Sequence, residues 1–323
     1  MSEKSRTDPI VIAYRGFAAG QGYEMWREQI CRGFVRLDVE PSKGSRIDCR
    51  IQIAALSDLA LGTATGMSGQ FARTPDLLSD GCDDFVLVCA TGGPLHLTQS
   101  GKSIALERSQ MCLTDMSVKG IIGLGASRQM TTLRIPRRAL LSINPKAEQK
   151  LSEPLPGDTA LPVMIARYQG LAAELASGLD AVAQRLTAQH LVDLIALHLG
   201  SEGDERELAR QRGYAAAQFE LIKSDILAKL DQTELTIDAV AQLCGSSRRH
   251  VQRLFRAAGT TFTDFVVDQR LLLARRLLGQ AQYRNSKISA IANAAGFSDL
   301  SYFNRIFRKR FGVTPTEMRA GLP

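Results

Sequence analysis

At 323 residues, 45% hydrophobic and 23% charged, the chain has an ordinary globular composition but is long for one core, so two domains are expected. No run of 18 or more apolar residues occurs, which excludes a membrane-spanning helix, and Met1 to Pro9 lacks the apolar stretch of a secretory signal. The six cysteines (Cys31, Cys49, Cys82, Cys89, Cys112, Cys244) include no CxxC pair, which argues against a zinc site or disulfide framework and for reduced thiols in a cytoplasm.

The net charge of +7 is unevenly placed. Residues 211–323 hold 17 Lys and Arg against 9 Asp and Glu, whereas the first 210 residues hold 23 against 24. A basic domain joined to a neutral one suits a polyanion-binding module with a separate partner domain.

In chain order, residues 10–140 read mostly as strands. Ile47 to Ile53 alternates apolar and polar residues, as a half-buried strand does. Phe85 to Cys89 and Met130 to Ile135 are apolar or β-branched, and Gly92-Gly93-Pro94 and Ser100-Gly101-Lys102 bracket a short strand at Leu95 to Gln99. Closely spaced short strands of this kind suggest an antiparallel barrel or sandwich, which Pro136 ends.

From Leu161 the period becomes helical. Leu171, Leu175, Leu179, Val182 and Leu186 form one apolar stripe, and Leu191, Leu194 and Ile195 continue it on a second helix. The stripe is either core within its own domain or a seam between two copies of the chain. The charged stretch at 201–214, poor in apolar residues, reads as the interdomain linker. The expected organisation is thus a β-rich domain at 1–160, a helical segment at 161–200, a linker at 201–214 and a basic helical domain at 215–323.

The basic domain contains an internal repeat. Ile237 to Phe255 and Ile288 to Phe307 each read as a short helix, a glycine (Gly245, Gly296), a serine able to cap, and a second helix ending in Arg, an apolar residue and Phe. Glycine supplies the left-handed backbone of a tight turn, and a serine oxygen accepts from the free amides that open the next helix. Two such helices form a helix-turn-helix, whose second helix enters the DNA major groove. In the first copy Arg249, Gln252 and Arg253 share one face while Val251, Leu254 and Phe255 point inward. Arg suits guanine O6 and N7, and Gln suits adenine N6 and N7. In the second copy Leu300, Ser301, Asn304 and Arg305 share the equivalent face, with Phe303, Ile306 and Phe307 inward, and Leu300 is placed for a thymine methyl. Arg248, His250 and Lys309 are candidates for phosphate contact. Between the copies, Thr263 to Leu278 reads as one helix of about 24 Å. That length suits two recognition helices one DNA turn, roughly 34 Å, apart.

On these residues, and above all on the closing run from Gly296 through Phe297, Ser298, Asp299, Leu300, Tyr302, Phe303 and Phe311 to Pro315, the tail resembles the DNA-binding domain of the AraC/XylS family of bacterial transcription regulators. The resemblance covers about Phe219 to Arg319. It implies a seven-helix domain in which Arg249, Gln252, Arg253, Ser301, Asn304 and Arg305 face DNA. The interval from Phe255 to Gly259 is one residue shorter than is usual there. The N-terminal half, through Trp26-Arg27-Glu28 and Leu133-Arg134-Ile135-Pro136, is similar to the family's regulatory domain. The implied fold is multidomain α+β: an N-terminal cupin-like antiparallel β barrel with a helical dimerisation segment, then an all-α domain with two helix-turn-helix motifs. The implied function is a cytoplasmic, homodimeric DNA-binding regulator, more often an activator, which responds to a small-molecule effector and contacts RNA polymerase.

Other signals are weaker. Gly101-Lys102-Ser103 resembles the end of a phosphate-binding loop, but His96 stands where that motif needs its first glycine, so a hairpin turn is expected. His96, His190 and His198 do not supply the clustered ligands of a metal site, and neither metal, cofactor nor catalytic residue is expected. The alternatives are a constitutive DNA binder without an effector, or a DNA-repair enzyme using a cysteine such as Cys82 or Cys112 fused to a DNA-binding module.

Overall fold

The computed structural model describes residues 9–32, 36–66, 68–125, 129–200, 207 and 213–320. The chain divides into two compact units, Met1–Ala217 and Gln218–Pro323. The first unit is built on two antiparallel sheets. The larger orders its strands β1 (Ile10–Gly16), β3 (Ile47–Leu56), β4 (Leu59–Thr65), β11 (Gln129–Ile135), β6 (Phe85–Ala90), β9 (Met111–Asp115) and β12 (Pro154–Leu155). The smaller orders β2 (Asp38–Pro41), β5 (Gly69–Arg73), β10 (Gly120–Leu124), β7 (Leu95–Gln99) and β8 (Lys102–Leu106). The expected antiparallel architecture is present, as two sheets that do not close into one cylinder.

Local chemistry sets the registers. The alternation at Ile47 to Ile53 buries Ile47, Cys49, Ile51 and Ile53. Ser100 and Gly101, both in the left-handed region (φ 52 and 76), make the two-residue turn that pairs Gln99 with Lys102, so the Gly-Lys-Ser run is a hairpin turn. On β4 the inward positions are Ala60, Gly62 and Ala64. A Cβ on Gly62 would lie 2.4 Å from Thr132 Oγ1 on β11, so a larger residue here would have to turn the threonine hydroxyl aside. These small residues leave a largely apolar cavity between the sheets, lined also by Ile51, Phe71, Leu97, Ile122 and Met130, with Arg73, Thr114, Asp115 and Arg134 among its polar members.

Among the described residues, two helical elements are missing from the strand reading of residues 10–140, a 3-10 turn at Pro75–Asp80 and a longer helix near the start. Gln21–Arg32 is a helix, α1. It buries Trp26 and Ile30 and stacks Trp26 against Tyr14, with ring centroids 5.3 Å apart. Arg27 forks onto Asp38 of β2 through bonds of 2.7 and 2.6 Å. The buried Arg73 donates to Asp80 (3.0 and 2.6 Å) and to the carbonyls of Met116 and Arg36.

After the short α2 (Arg137–Leu141), two helices follow the sheets. They are α3 (Ala160–Leu175) and α4 (Ala181–His198), separated by a 3-10 turn at Ala176–Gly178. The stripe from Leu171 to Leu186 therefore does not lie on one helix. Asp180 breaks it by capping α4, accepting from the amides of Val182 and Ala183. Nor is most of the stripe core: Leu175, Val182 and Leu186 are 48%, 57% and 55% exposed and Leu171 and Leu179 half-buried, whereas Met164, Ile165, Tyr168, Leu191, Leu194 and Ile195 are buried. Of the linker expected at 201–214, residues 201–206 and 208–212 lie outside the described residues. Its described end is closely packed, because a Cβ on Gly213 would meet Cβ of Asp193 at 2.5 Å.

From Ala215 onward the described residues form seven helices. They are α5 (Ala215–Leu227), α6 (Ile237–Leu243), α7 (Arg248–Ala257), α8 (Phe262–Leu278), α9 (Ile288–Ala294), α10 (Leu300–Phe311) and α11 (Pro315–Ala320). Phe255 centres the first half, against Phe219, Phe262 and Phe265 at 5.1, 5.8 and 5.5 Å. Phe297, Phe303 and Phe307 centre the second half together with Leu271, Leu277 and Ile291.

Replacing Arg73 with methionine takes a donor from the carbonyls of Met116 and Arg36 and leaves the Asp80 carboxylate to Arg36 and the Cys82 amide alone. It is expected to cost about 1–3 kcal/mol, read as an earlier urea transition in the fluorescence of Trp26, the single tryptophan. Arg73 holds the Asp80 carboxyl below its ordinary value of 3.8, so this stabilisation is complete above that pH. The gap between wild type and variant should narrow only as pH falls below it, through the depressed value.

Candidate nucleic-acid interface

Both repeats fold as helix-turn-helix units, α6–α7 and α9–α10, joined by α8. In the first, Gly245 takes φ 57 and Ser247 accepts from the amide of His250 at 3.2 Å. In the second, Gly296 takes φ 86, but the cap is Asp299 rather than Ser298, accepting from the amide of Tyr302 at 2.9 Å. A carboxylate at that end also complements the helix dipole. Helix α8 begins one residue earlier than expected, with Thr261 capping through the amide of Asp264. The short interval after Phe255 closes through Ala258, whose amide reaches the Leu254 and Phe255 carbonyls, before Gly259 turns left-handed at φ 75.

The inward residues of the two second helices are placed as their spacing requires. Val251, Leu254, Phe255, Phe303 and Phe307 are buried, and Ile306 is half-buried. On the other face of α7, Arg249 and Arg253 are exposed and Gln252 is half-buried. Together with Ser247, His250 and Arg256 they line one open groove. Arg256 completes the 249, 252, 253, 256 spacing of a single helix face, a periodicity already visible in the sequence although Arg256 was not among the expected readers. On α10, Leu300, Ser301, Asn304 and Arg305 are all exposed, and the Arg305 guanidinium lies 5.6 Å from the Tyr302 ring centroid.

The three candidate phosphate contacts differ. Lys309 is exposed. Arg248 pairs with Asp238 of α6 at 3.1 Å, where both side chains are more than half exposed, an ion pair worth at most about 1 kcal/mol. His250 departs from the expectation of a free donor. Its Nε2 lies 2.5 Å from Gln218 Oε1 on α5, and its Nδ1 lies 2.7 Å from Arg253 Nη2. Both ring nitrogens are engaged inside the unit. Burial, and secondarily the Arg253 charge, hold the ring below its ordinary pKa of 6.5.

Arg270, which carries no motif, ties the two halves together. From the middle of α8 it donates to the carbonyls of Leu230 (3.0 Å) and Gln232 (2.5 Å), in the turn after α5. Gly296, in the second helix-turn-helix, packs onto the same spot. A Cβ there would lie 2.1 Å from the Leu230 oxygen and 2.7 Å from Arg270 Nε. The first half's connecting turn, the linking helix and the second half's tight turn thus meet at one point. Arg310 of α10 adds a second tie, to Asp268 of α8 at 2.7 Å.

Residues 228–321 match the helix-turn-helix domain family, and residues 26–200 match the AraC-binding-like domain family. The chain belongs to the AraC/XylS family of transcription regulators. Among curated relatives of this family, the transcriptional activator NphR of Rhodococcus sp is 26% identical over 97% of this chain and 94% of its own length. The transcriptional activator RhrA of Rhizobium meliloti (strain 1021) is 26% identical over 86% of this chain and 94% of its own. The crystal structure of the AraC-like transcriptional activator CuxR covers 82% of this chain and 95% of its own with a TM-score of 0.50 at 15% identity, a likeness of fold. As a member of the AraC/XylS family the chain is a DNA-binding transcription regulator and not an enzyme. Among the described residues no cluster of His, Cys, Asp or Glu has the makings of a metal site, and no helix is long and apolar enough to cross a membrane.

The two turn glycines form a matched pair for experiment. Gly245 has nothing within 4 Å of its missing Cβ, so Gly245→Ala carries backbone strain alone, about 1 kcal/mol. Gly296→Ala adds a clash with backbone and should cost about 3 kcal/mol. Thermal melting of the two variants should rank them in that order.

Proposed function

We propose that this regulator reads two adjacent major-groove segments with α7 and α10, as a homodimer in the cytoplasm, and activates transcription through contact with RNA polymerase under control of a small molecule bound in its N-terminal domain. The observation that carries the reading is the pair of exposed polar faces, Arg249, Gln252, Arg253 and Leu300, Ser301, Asn304, Arg305, borne by one unit that Arg270 and Gly296 tie together. Arg249, Gln252 and Arg253 supply most of the base discrimination, and the less basic second face docks. Arg248 and Lys309 meet phosphates.

Activation is favoured by the names of NphR and RhrA, both transcriptional activators. An effector is favoured by the cavity between the two sheets, apolar with a few polar members, as small-molecule sites are. Self-association is favoured by Leu175, Val182 and Leu186, apolar side chains on α3 and α4 left open to solvent. The division of labour that goes with this is a regulatory domain at 1–160, a dimerising helical segment at 161–200, a linker at 201–214 and the DNA-binding domain at 215–323.

Arg253→Ala and Arg305→Ala should each weaken specific binding by about 1–3 kcal/mol. Footprinting and base-substitution titrations should place the two losses at different sub-sites about one helical turn apart, and losses at the same bases would defeat the tandem reading. Sedimentation of Val182→Glu/Leu186→Glu should show a monomer where wild type is a dimer. In thermal-shift screening of the intact chain, a metabolite that raises the melting temperature and alters activation supports the sensor. Equal activation with every metabolite pool tested would instead indicate a constitutive binder.

A further inference from the structure

Arg253 is not a free arm. Its Nη2 lies 2.7 Å from Nδ1 of His250, one turn earlier on α7, and the far side of that ring meets Gln218 Oε1 at 2.5 Å. Donor and acceptor rules fix the direction of the chain. A guanidinium only donates, so Nδ1 is the acceptor; the neutral ring then carries its proton on Nε2 and donates it to the Gln218 carboxamide oxygen. Gln218 is itself 8% exposed and stands on α5, outside the helix-turn-helix.

We propose that Gln218 and His250 are positioning residues for Arg253, holding its guanidinium over the DNA-facing groove before DNA arrives and so setting base preference at the position Arg253 reads. The inference rests on the reading of Arg253 as a base contact. Arginine has five N–H donors, and His250 takes one, which leaves a pair for guanine O6 and N7. A long side chain restrained in the free protein loses less rotamer freedom on binding. The second reader carries the same device in another form: Tyr302 stands three residues before Arg305, as His250 stands before Arg253, and offers its ring to the guanidinium. In both copies a ring one turn back braces the arginine.

The brace on α7 works only while His250 is neutral, because a protonated Nδ1 is a donor and repels the guanidinium. The charged groups sharing its groove are Arg249, Arg253 and Arg256 on its own helix, and from α5 it meets the uncharged Gln218. Burial and the Arg253 charge favour the neutral ring, in line with its lowered pKa, while Gln218 accepts from Nε2 in either state.

The test selects intact wild type, Arg253→Ala, His250→Phe, His250→Asn and Gln218→Met on a randomised duplex DNA library and compares base preference position by position. His250→Phe should lose preference several-fold at the positions that Arg253→Ala loses and leave the others intact. The double variant should be no worse than Arg253→Ala alone. His250→Asn, which keeps an acceptor near the place of Nδ1, should restore the preference, and Gln218→Met should show the same loss in weaker form. Wild-type preference at these positions should fade as pH falls below 6.5 toward the lowered pKa, while His250→Asn stays flat. A His250→Phe protein that melts like wild type and keeps its preference at the Arg253 positions, or loses affinity equally for all sequences, overturns the relay alone. An Arg253→Ala protein with unchanged preferences overturns the base-reading role and the relay together.

Discussion

The guanidinium of Arg270, half-buried against the carbonyls of Leu230 and Gln232 and touching the turn at Gly296, is the contact on which the DNA-binding unit depends. Burying a cation is costly, and burial does lower the pKa of Arg270, but two carbonyl acceptors compensate the donors that lose water. The geometry leaves little freedom. The carbonyls belong to the turn that follows α5, the guanidinium to the middle of α8, and the glycine to the second helix-turn-helix. The helix between the two helix-turn-helix units cannot fix their relation alone, because an isolated helix leaves each end free to swing.

Around that anchor the two helix-turn-helix units are built alike and finished differently. Each opens on a left-handed glycine and a side-chain cap, yet the caps are a serine in one and an aspartate in the other. Each buries a phenylalanine at the same inward position, Phe255 and Phe307, while Phe303 stands where the first has Val251. Each braces an arginine with a ring one turn earlier, by a hydrogen bond from Arg253 to His250 and by the ring face of Tyr302 beneath Arg305. The basic excess of residues 211–323 is divided between these faces and internal ties. Arg270, Arg310 and Arg319 are spent within the unit, on Leu230 and Gln232, on Asp268 and on Ser286. The sum of charge thus indicated a polyanion partner but overstated how many cations are available to one.

The N-terminal unit was legible in outline. Alternation at Ile47 to Ile53 and the turn at Ser100-Gly101 gave strands and a hairpin, because both are local signals. Helix α1 was not legible: its buried face is only Tyr23, Trp26 and Ile30, spaced among polar residues between strand-like segments. The stripe from Leu171 to Leu186 had helical spacing throughout, and spacing alone conceals the new cap that Asp180 supplies. The cavity between the sheets was not legible either, because Ala60, Gly62 and Ala64 make room only once β11 places Thr132 opposite them.

What the sequence determined by itself was the repeat, its glycines, its inward phenylalanines and the outward faces of its second helices. Within each copy these lie within about twenty residues of one another, where helical periodicity and turn chemistry act directly. What only the tertiary structure decided were the partners of His250 and Arg270 and the open state of Leu175, Val182 and Leu186. Gln218 stands 32 residues from His250, and Leu230 stands 40 residues from Arg270. No local pattern links such positions, so whether a basic side chain meets DNA or its own fold is settled only when distant turns pack together.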